Sequence, residues 1–66
     1  GGRVNINTAS AQEMADNLDG IGSGLGERIV DYRNNNGMFK DIEEIKNVSG
    51  IGEKRYEAIK DKITVR

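Results

Sequence analysis

The feature that most constrains this chain is a five-residue stretch that it carries twice. Leu18-Asp19-Gly20-Ile21-Gly22 returns thirty residues later as Val48-Ser49-Gly50-Ile51-Gly52, so an apolar residue, a small polar one, Gly, Ile and Gly recur in the same order. In each copy an amphipathic segment runs in, the Gly-Ile-Gly turn reverses the chain, and a second amphipathic segment runs out. That predicts a duplicated unit of helix, tight hairpin and helix. Each glycine can take φ > 0 and leaves its backbone bare, whereas the isoleucine between them needs burial. The peptide N–H groups beyond such a turn open the next helix, where unpaired donors and the positive end of the macrodipole favour an anion.

The helices can be placed around these turns in chain order. Val4-Asn5-Ile6-Asn7-Thr8 alternates apolar and polar, which predicts a short extended lead-in that tucks Val4 and Ile6 against the core. Ser10-Ala11-Gln12-Glu13 reads as a capping box that starts helix one, with Ala11, Met14, Ala15 and Leu18 on one face. Ser23 is expected to cap helix two, whose apolar side is Leu25, Ile29, Val30 and Tyr32. Gly24 and Gly26 weaken its first turn by about 1 kcal/mol each relative to Ala. Asn34-Asn35-Asn36-Gly37 is a stop signal, and Phe39 in the connection is expected to plug the gap between the repeats. Asp41-Ile42-Glu43-Glu44 repeats the capping-box logic for helix three, which carries Ile42, Ile45 and Val48 inward. Helix four is expected from near Glu53, with Tyr56, Ile59 and Ile63 on one face. The expected fold is all-α, a small four-helix domain with a short extended N-terminal lead-in and no signal for a sheet. Its boundaries follow: residues 1–3 as a linker remnant and 4–65 as the domain, with repeat one at about 10–36 and repeat two at about 41–63.

Size and composition narrow the chemistry. A chain of 66 residues makes one small domain with no room for a large active-site cavity. It has no Cys and no His, which removes disulfides, thiolate chemistry, the usual zinc ligands and the commonest general base. Gly20, Gly22, Gly24 and Gly26 alternate, but a dinucleotide fingerprint needs Gly where Leu25 stands, and no Gly-Lys-Ser or Gly-Lys-Thr follows for a P-loop. No apolar run approaches the length of a bilayer span, and no signal segment opens the chain. Gly1-Gly2 reads as the end of a flexible linker or a cloning remnant, so a longer parent protein is expected.

The net charge of −1 and pI of 5.3 lack the basic footprint usual for a nucleic-acid binder. The halves differ, however. Residues 1–36 set three arginines against five carboxylates, net −2, whereas residues 37–66 set seven cationic side chains against six acidic ones, net +1.

The tandem pattern of apolar residue, any residue, Gly, apolar residue, Gly resembles the helix-hairpin-helix DNA-binding module. Val4-Asn5-Ile6-Asn7-Thr8-Ala9, Ile29-Val30-Asp31-Tyr32-Arg33, Asn36-Gly37-Met38-Phe39-Lys40 and Gly50-Ile51-Gly52-Glu53-Lys54 extend the match. Together they resemble the C-terminal domain of the ComEA competence protein family over nearly the whole chain. Met38 stands where many relatives have Pro, and Ser23-Gly24 where many have Pro and a larger residue. The resemblance implies SAM-like orthogonal packing, no catalysis, and sequence-independent binding of double-stranded DNA for uptake in natural competence. Under it, phosphates of one strand meet Gly20, Ile21, Gly22, Ser23 and Gly24, and those of the other meet Gly50, Ile51, Gly52, Glu53, Lys54 and Arg55. Arg28 and Lys46 are weaker candidates. It also implies an extracytoplasmic location, other competence or membrane-channel components as partners, no small-molecule substrate, and no cofactor beyond a monovalent cation that hairpin carbonyls hold in some members.

Each of these residues has a plainer reading beside the functional one. The glycines can simply permit tight turns, Lys54 and Arg55 can be solvated helix charges with Lys54 paired to Glu57, and Asn5, Asn7 and Thr8 can satisfy backbone groups at a helix entry. The alternative function is a structural or protein-interaction module of the same fold, which the acidic pI favours.

Overall fold

The computed structural model describes residues 2–66. The elements run β1 (Val4–Asn5), α1 (Ala11–Asn17), α2 (Ser23–Asn36), a 3₁₀ helix (Ile42–Asn47), α3 (Glu53–Ile59), a 3₁₀ turn (Lys60–Lys62) and β2 (Ile63–Thr64). Four helical segments flank the two hairpins, as the duplicated pattern predicts.

α1 starts at a true capping box. Ser10 Oγ accepts from the Glu13 N–H at 3.0 Å while the Ser10 N–H donates to Glu13 Oε1 at 3.0 Å, so two orphan donors are satisfied reciprocally. Met14 and Leu18 on its inner face are buried, and Ala11 and Ala15 are half-buried. α2 stops at Gly37, whose φ of 91° is open to glycine at little cost, and the Gly37 N–H donates to Arg33 O at 3.0 Å. Phe39 is buried between the repeats and stacks on Tyr32, with ring centroids 5.4 Å apart. Ile6, Met14, Ile29, Ile45, Ile59 and Ile63 form the fully buried centre of the core.

Four expectations are corrected. Helix three is a 3₁₀ helix and not an α-helix. The run from Asp41 to Gly50 is one residue shorter than that from Ser10 to Gly20, and the steeper rise of a 3₁₀ helix, about 2.0 Å per residue against 1.5 Å, makes up the length. Ile42, Ile45 and Val48, three apart, stay on one side of it. Its cap is looser as well: Asp41 Oδ1 accepts from Glu43 N at 2.9 Å, but Glu44 Oε1 accepts from the N–H of Lys40 at 2.7 Å, one residue before the cap. Second, Ser23 is the first helical residue of α2, and the cap is Gly22 with no side-chain bond. Third, the last helix ends at Ile59, and Ile63 reaches the core from β2.

Fourth, the lead-in is paired. β1 and β2 form a parallel ribbon with Val4 opposite Ile63 and Asn5 opposite Thr64, extended by Ile6 N–H to Thr64 O at 2.9 Å. The chain's two ends therefore close on each other. Arg3 belongs to that closure through Nε to Asp61 O at 3.3 Å; of the rest of the expected linker remnant, Gly2 is exposed and Gly1 lies outside the described residues.

Asn7 locks this closure to the connection between the repeats. Its Nδ2 donates to Phe39 O at 2.9 Å and Val65 O at 3.2 Å, and its Oδ1 accepts from Phe39 N at 2.7 Å. Its side chain does satisfy backbone groups, but in the connection and near Val65 and not at the helix entry where that role was expected. Asn7→Ala strips partners from half-buried backbone groups and is expected to cost about 1–2 kcal/mol. A thermal melt should show the midpoint lowered by roughly 4–16 °C for a domain of this size.

Candidate nucleic-acid interface

Each hairpin is built the same way. The Ile21 N–H donates to Leu18 O at 3.1 Å and the Ile51 N–H to Val48 O at 3.0 Å, closing a four-residue turn. The third residue of that turn must take positive φ, as in a type II turn, and it does: 82° at Gly20 and 95° at Gly50. Ile21 and Ile51 drive the turn into the core, at 3% and 2% exposure. With the side chain buried and the N–H engaged, these two candidate residues are anchors that present no donor outward.

The second glycines differ from the first. Gly22 and Gly52 have φ of −87° and −98°, extended backbone that any residue adopts, so the expectation of positive φ at every hairpin glycine is corrected for these two. A Cβ added at Gly22, Gly24 or Gly52 would meet nothing within 4 Å. Neither conformation nor internal packing calls for glycine there.

Gly22 and Gly52 are the caps of α2 and α3, and neither helix start has a side-chain cap. The first internal bonds of these helices are Gly26 N–H to Gly22 O at 2.9 Å and Tyr56 N–H to Gly52 O at 3.0 Å. The N–H groups of Ser23 and Gly24, and those of Glu53 and Lys54, make no hydrogen bond among the described residues. By contrast the incoming helices are capped by Ser10 and Asp41. The two outgoing starts, one per hairpin, are thus the ones whose first-turn donors no capping side chain covers.

The hairpins lie against each other reciprocally. A Cβ on Gly50 would stand 2.7 Å from Leu25 Cδ2 and 2.9 Å from Arg28 Nη1, and one on Gly20 would stand 3.2 Å from Arg55 Nη1. Leu25 and Arg55 are the residues five beyond Gly20 and Gly50, so each repeat covers the other's first glycine with the same position. Such an exchange is the contact pattern of units related by a twofold. A shallow groove between the first hairpin and α3 is lined by Asp19, Gly20, Lys54, Arg55 and Ala58.

Among the cations, only some are free. Lys54 is exposed and makes no ion pair among the described residues; Glu57, its expected partner, pairs instead with Lys60 at 2.8 Å. Lys46 Nζ is held by Glu53 at 3.0 Å and Glu43 at 3.4 Å, and lies 5.0 Å from the Tyr56 ring centroid. The Glu53 hydrogen bond, foremost, holds the Lys46 ammonium above its ordinary pKa, while burial foremost pushes up the Tyr56 phenol. Arg28 Nη1 donates to Ser49 O at 3.2 Å. Arg55 donates through Nη1 to Gly20 O at 2.6 Å and through Nε to Gly50 O at 3.2 Å. A cation on those same two oxygens would face the guanidinium charge.

Leu25 and Arg28 were legible only as core and weak-candidate residues, because their position over the opposite hairpin depends on how the repeats pack. Among the described residues there is no group of three or more acidic, His or Cys side chains placed to hold a metal, and no helix long and apolar enough to cross a membrane.

Comparison with known proteins agrees with this architecture. A family model described as helix-hairpin-helix motif matches residues 1–64. The chain is 50% identical over 66 residues to ComE operon protein 1 of Bacillus subtilis, covering 100% of this chain and 32% of that protein. It is 43% identical over 61 residues to an uncharacterized protein of Haemophilus influenzae, covering 92% of this chain and 54% of that one. It is also 40% identical over 63 residues to the human endonuclease/exonuclease/phosphatase family domain-containing protein 1, where the match covers 96% of this chain but 11% of that protein. The chain therefore spans only part of each of these relatives, from about a tenth to about half.

Proposed function

The chain belongs to the helix-hairpin-helix family, and on that premise we propose that it is a non-catalytic domain that binds double-stranded DNA without regard to sequence. The observation that carries the reading is the pair of uncapped helix starts at Gly22 and Gly52, whose glycines answer no need of the fold itself. Bare backbone there admits a phosphate to the N–H groups of Ser23 and Gly24 at one hairpin and of Glu53 and Lys54 at the other. Two such grips, set reciprocally, suit the two strands of one duplex. Peptide N–H groups contact phosphate oxygens and not base edges, so no sequence is read.

Identity to ComE operon protein 1 supports a role in DNA uptake during natural competence, with an extracytoplasmic location and other competence or membrane-channel components as partners. Lys54, beside the second hairpin, is the one candidate cation with no internal partner among the described residues, and it adds the direct charge.

Fluorescence anisotropy with random-sequence duplex at low and moderate salt tests the reading. Affinity is expected in the ordinary non-specific range of ~10⁻⁴ to 10⁻⁶ M. Each phosphate neutralised by a cation contributes about 0.9 to the log–log salt slope, so with Lys54 the one unpaired candidate cation among the described residues the slope should be shallow, on the order of −1 to −2. Lys54→Ala should weaken binding and flatten that slope by about 0.9. No binding at low salt would transfer the weight to the structural or protein-interaction reading.

A further inference from the structure

We propose that Arg55 is a positioning residue that sets the spacing of the two hairpins, and not a phosphate contact. The inference rests on the duplex-binding reading above for its functional consequence, but its geometry stands apart from it. One guanidinium accepts no bond and donates to both positive-φ glycines: Nη1 to Gly20 O at 2.6 Å and Nε to Gly50 O at 3.2 Å. Those carbonyls belong to different hairpins, 35 and 5 residues from Arg55 in sequence. The planar fork holds both acceptors in one fixed relation, which a flexible ammonium cannot reproduce.

The reciprocal position in repeat one is Leu25, which packs its Cδ2 over Gly50 without a hydrogen bond. Only one of the two crossing contacts is therefore polar, and it alone ties carbonyl to carbonyl across the hairpins. Arg28 Nη1 to Ser49 O at 3.2 Å adds a tie to the second hairpin only. Arg55 is exposed, so water competes for its bonds and their net weight in global stability is small. Their weight falls instead on geometry. Two grips act together only when their separation matches that of the sites they hold, and the gain from bivalent binding disappears when it does not.

The test compares Arg55→Lys and Arg55→Met with the parent chain, using random duplex, single-stranded DNA of the same length, the salt slope, and amide NMR shifts of the free protein. Arg55→Lys keeps the charge and loses the fork. It is expected to weaken duplex binding about tenfold or more while changing single-strand binding little, with the salt slope retained. In the free protein the amides of Ile21 and Ile51, which follow the two carbonyls, should shift together. The proposal is overturned if Arg55→Lys binds duplex like the parent, if Arg55→Met lowers the slope by about 0.9 as a lost phosphate contact would, or if only the second hairpin's amides move. Should Arg55→Met fail to fold, Arg55→Lys alone decides. Because the NMR arm needs no DNA, a parent chain that binds no duplex would sink the function while leaving the bridge to be judged on its own.

Discussion

A Gly22→Asp, Gly52→Asp double variant is expected to melt no lower than the parent and to lose duplex affinity by about 100-fold or more, equivalent to ~2.7 kcal/mol. Both glycines sit in extended backbone, at φ of −87° and −98°, with nothing within 4 Å of an added Cβ, so the substitution meets neither strain nor clash. Both are helix caps, where Asp is preferred to Gly by a few tenths of a kcal/mol and its charge complements the macrodipole. The carboxylate gains this stability by accepting from the N–H groups of the first turn, the same donors that a phosphate would need, and it sets a negative charge in the phosphate's place. Stability and binding should move in opposite directions. Thermal melts and anisotropy on the same samples measure both, and Gly22→Ser with Gly52→Ser separates occupancy of the donors from charge. A stable Asp variant with parental affinity would mean that the hairpins are turns and nothing more.

That contrast also shows where the sequence was informative. The hairpins were legible because Gly-Ile-Gly is a local pattern whose turn, buried isoleucine and helix starts are all set within five residues. The Ser10 cap was legible for the same reason, since its partner Glu13 is three residues away. Which glycine needs positive φ was not: Gly20 and Gly22 look alike in a string, and only the closing bond from Ile21 to Leu18 assigns the left-handed conformation to the first. Ile42, Ile45 and Val48 are spaced by three, a period that an α-helix and a 3₁₀ helix share at this length, so the tighter winding was hidden. The parallel pairing of Val4 with Ile63 joins two-residue strands from opposite ends of the chain, too short for any periodic signal. Arg55 was read as a phosphate contact, or more plainly a solvated helix charge, because its acceptor on Gly20 lies 35 residues away and exists only once the repeats are packed.

Gly26 is the case in which local and tertiary physics disagree in sign, and it yields the second large effect. Inside α2 a glycine costs about 1 kcal/mol relative to Ala, so helix propensity alone predicts that Gly26→Ala and Gly24→Ala both stabilise. Gly24 has open space around its Cβ position, and its replacement is expected to raise the melting midpoint. Gly26 is buried, and a Cβ there would lie 2.6 Å from Ala11 O and 3.1 Å from the Ala11 Cα and carbonyl carbon. These are backbone atoms and cannot swing aside, so α1 as a whole must retreat from α2. Overpacking of that kind costs typically about 1–3 kcal/mol, which outweighs the propensity gain for Ala. Val, with two further methyls and a β-branched cost in a helix, should exceed ~3 kcal/mol. A core of this size supplies only about 3–5 kcal/mol. Gly26→Val is therefore expected to be largely unfolded by circular dichroism near body temperature, Gly26→Ala to melt below the parent, and Gly24→Ala above it. A Gly26→Ala chain that melts as high as Gly24→Ala would show that α1 and α2 do not approach backbone to side as closely as their glycine allows, and the close seat of the first repeat on its own helix pair would have to be abandoned.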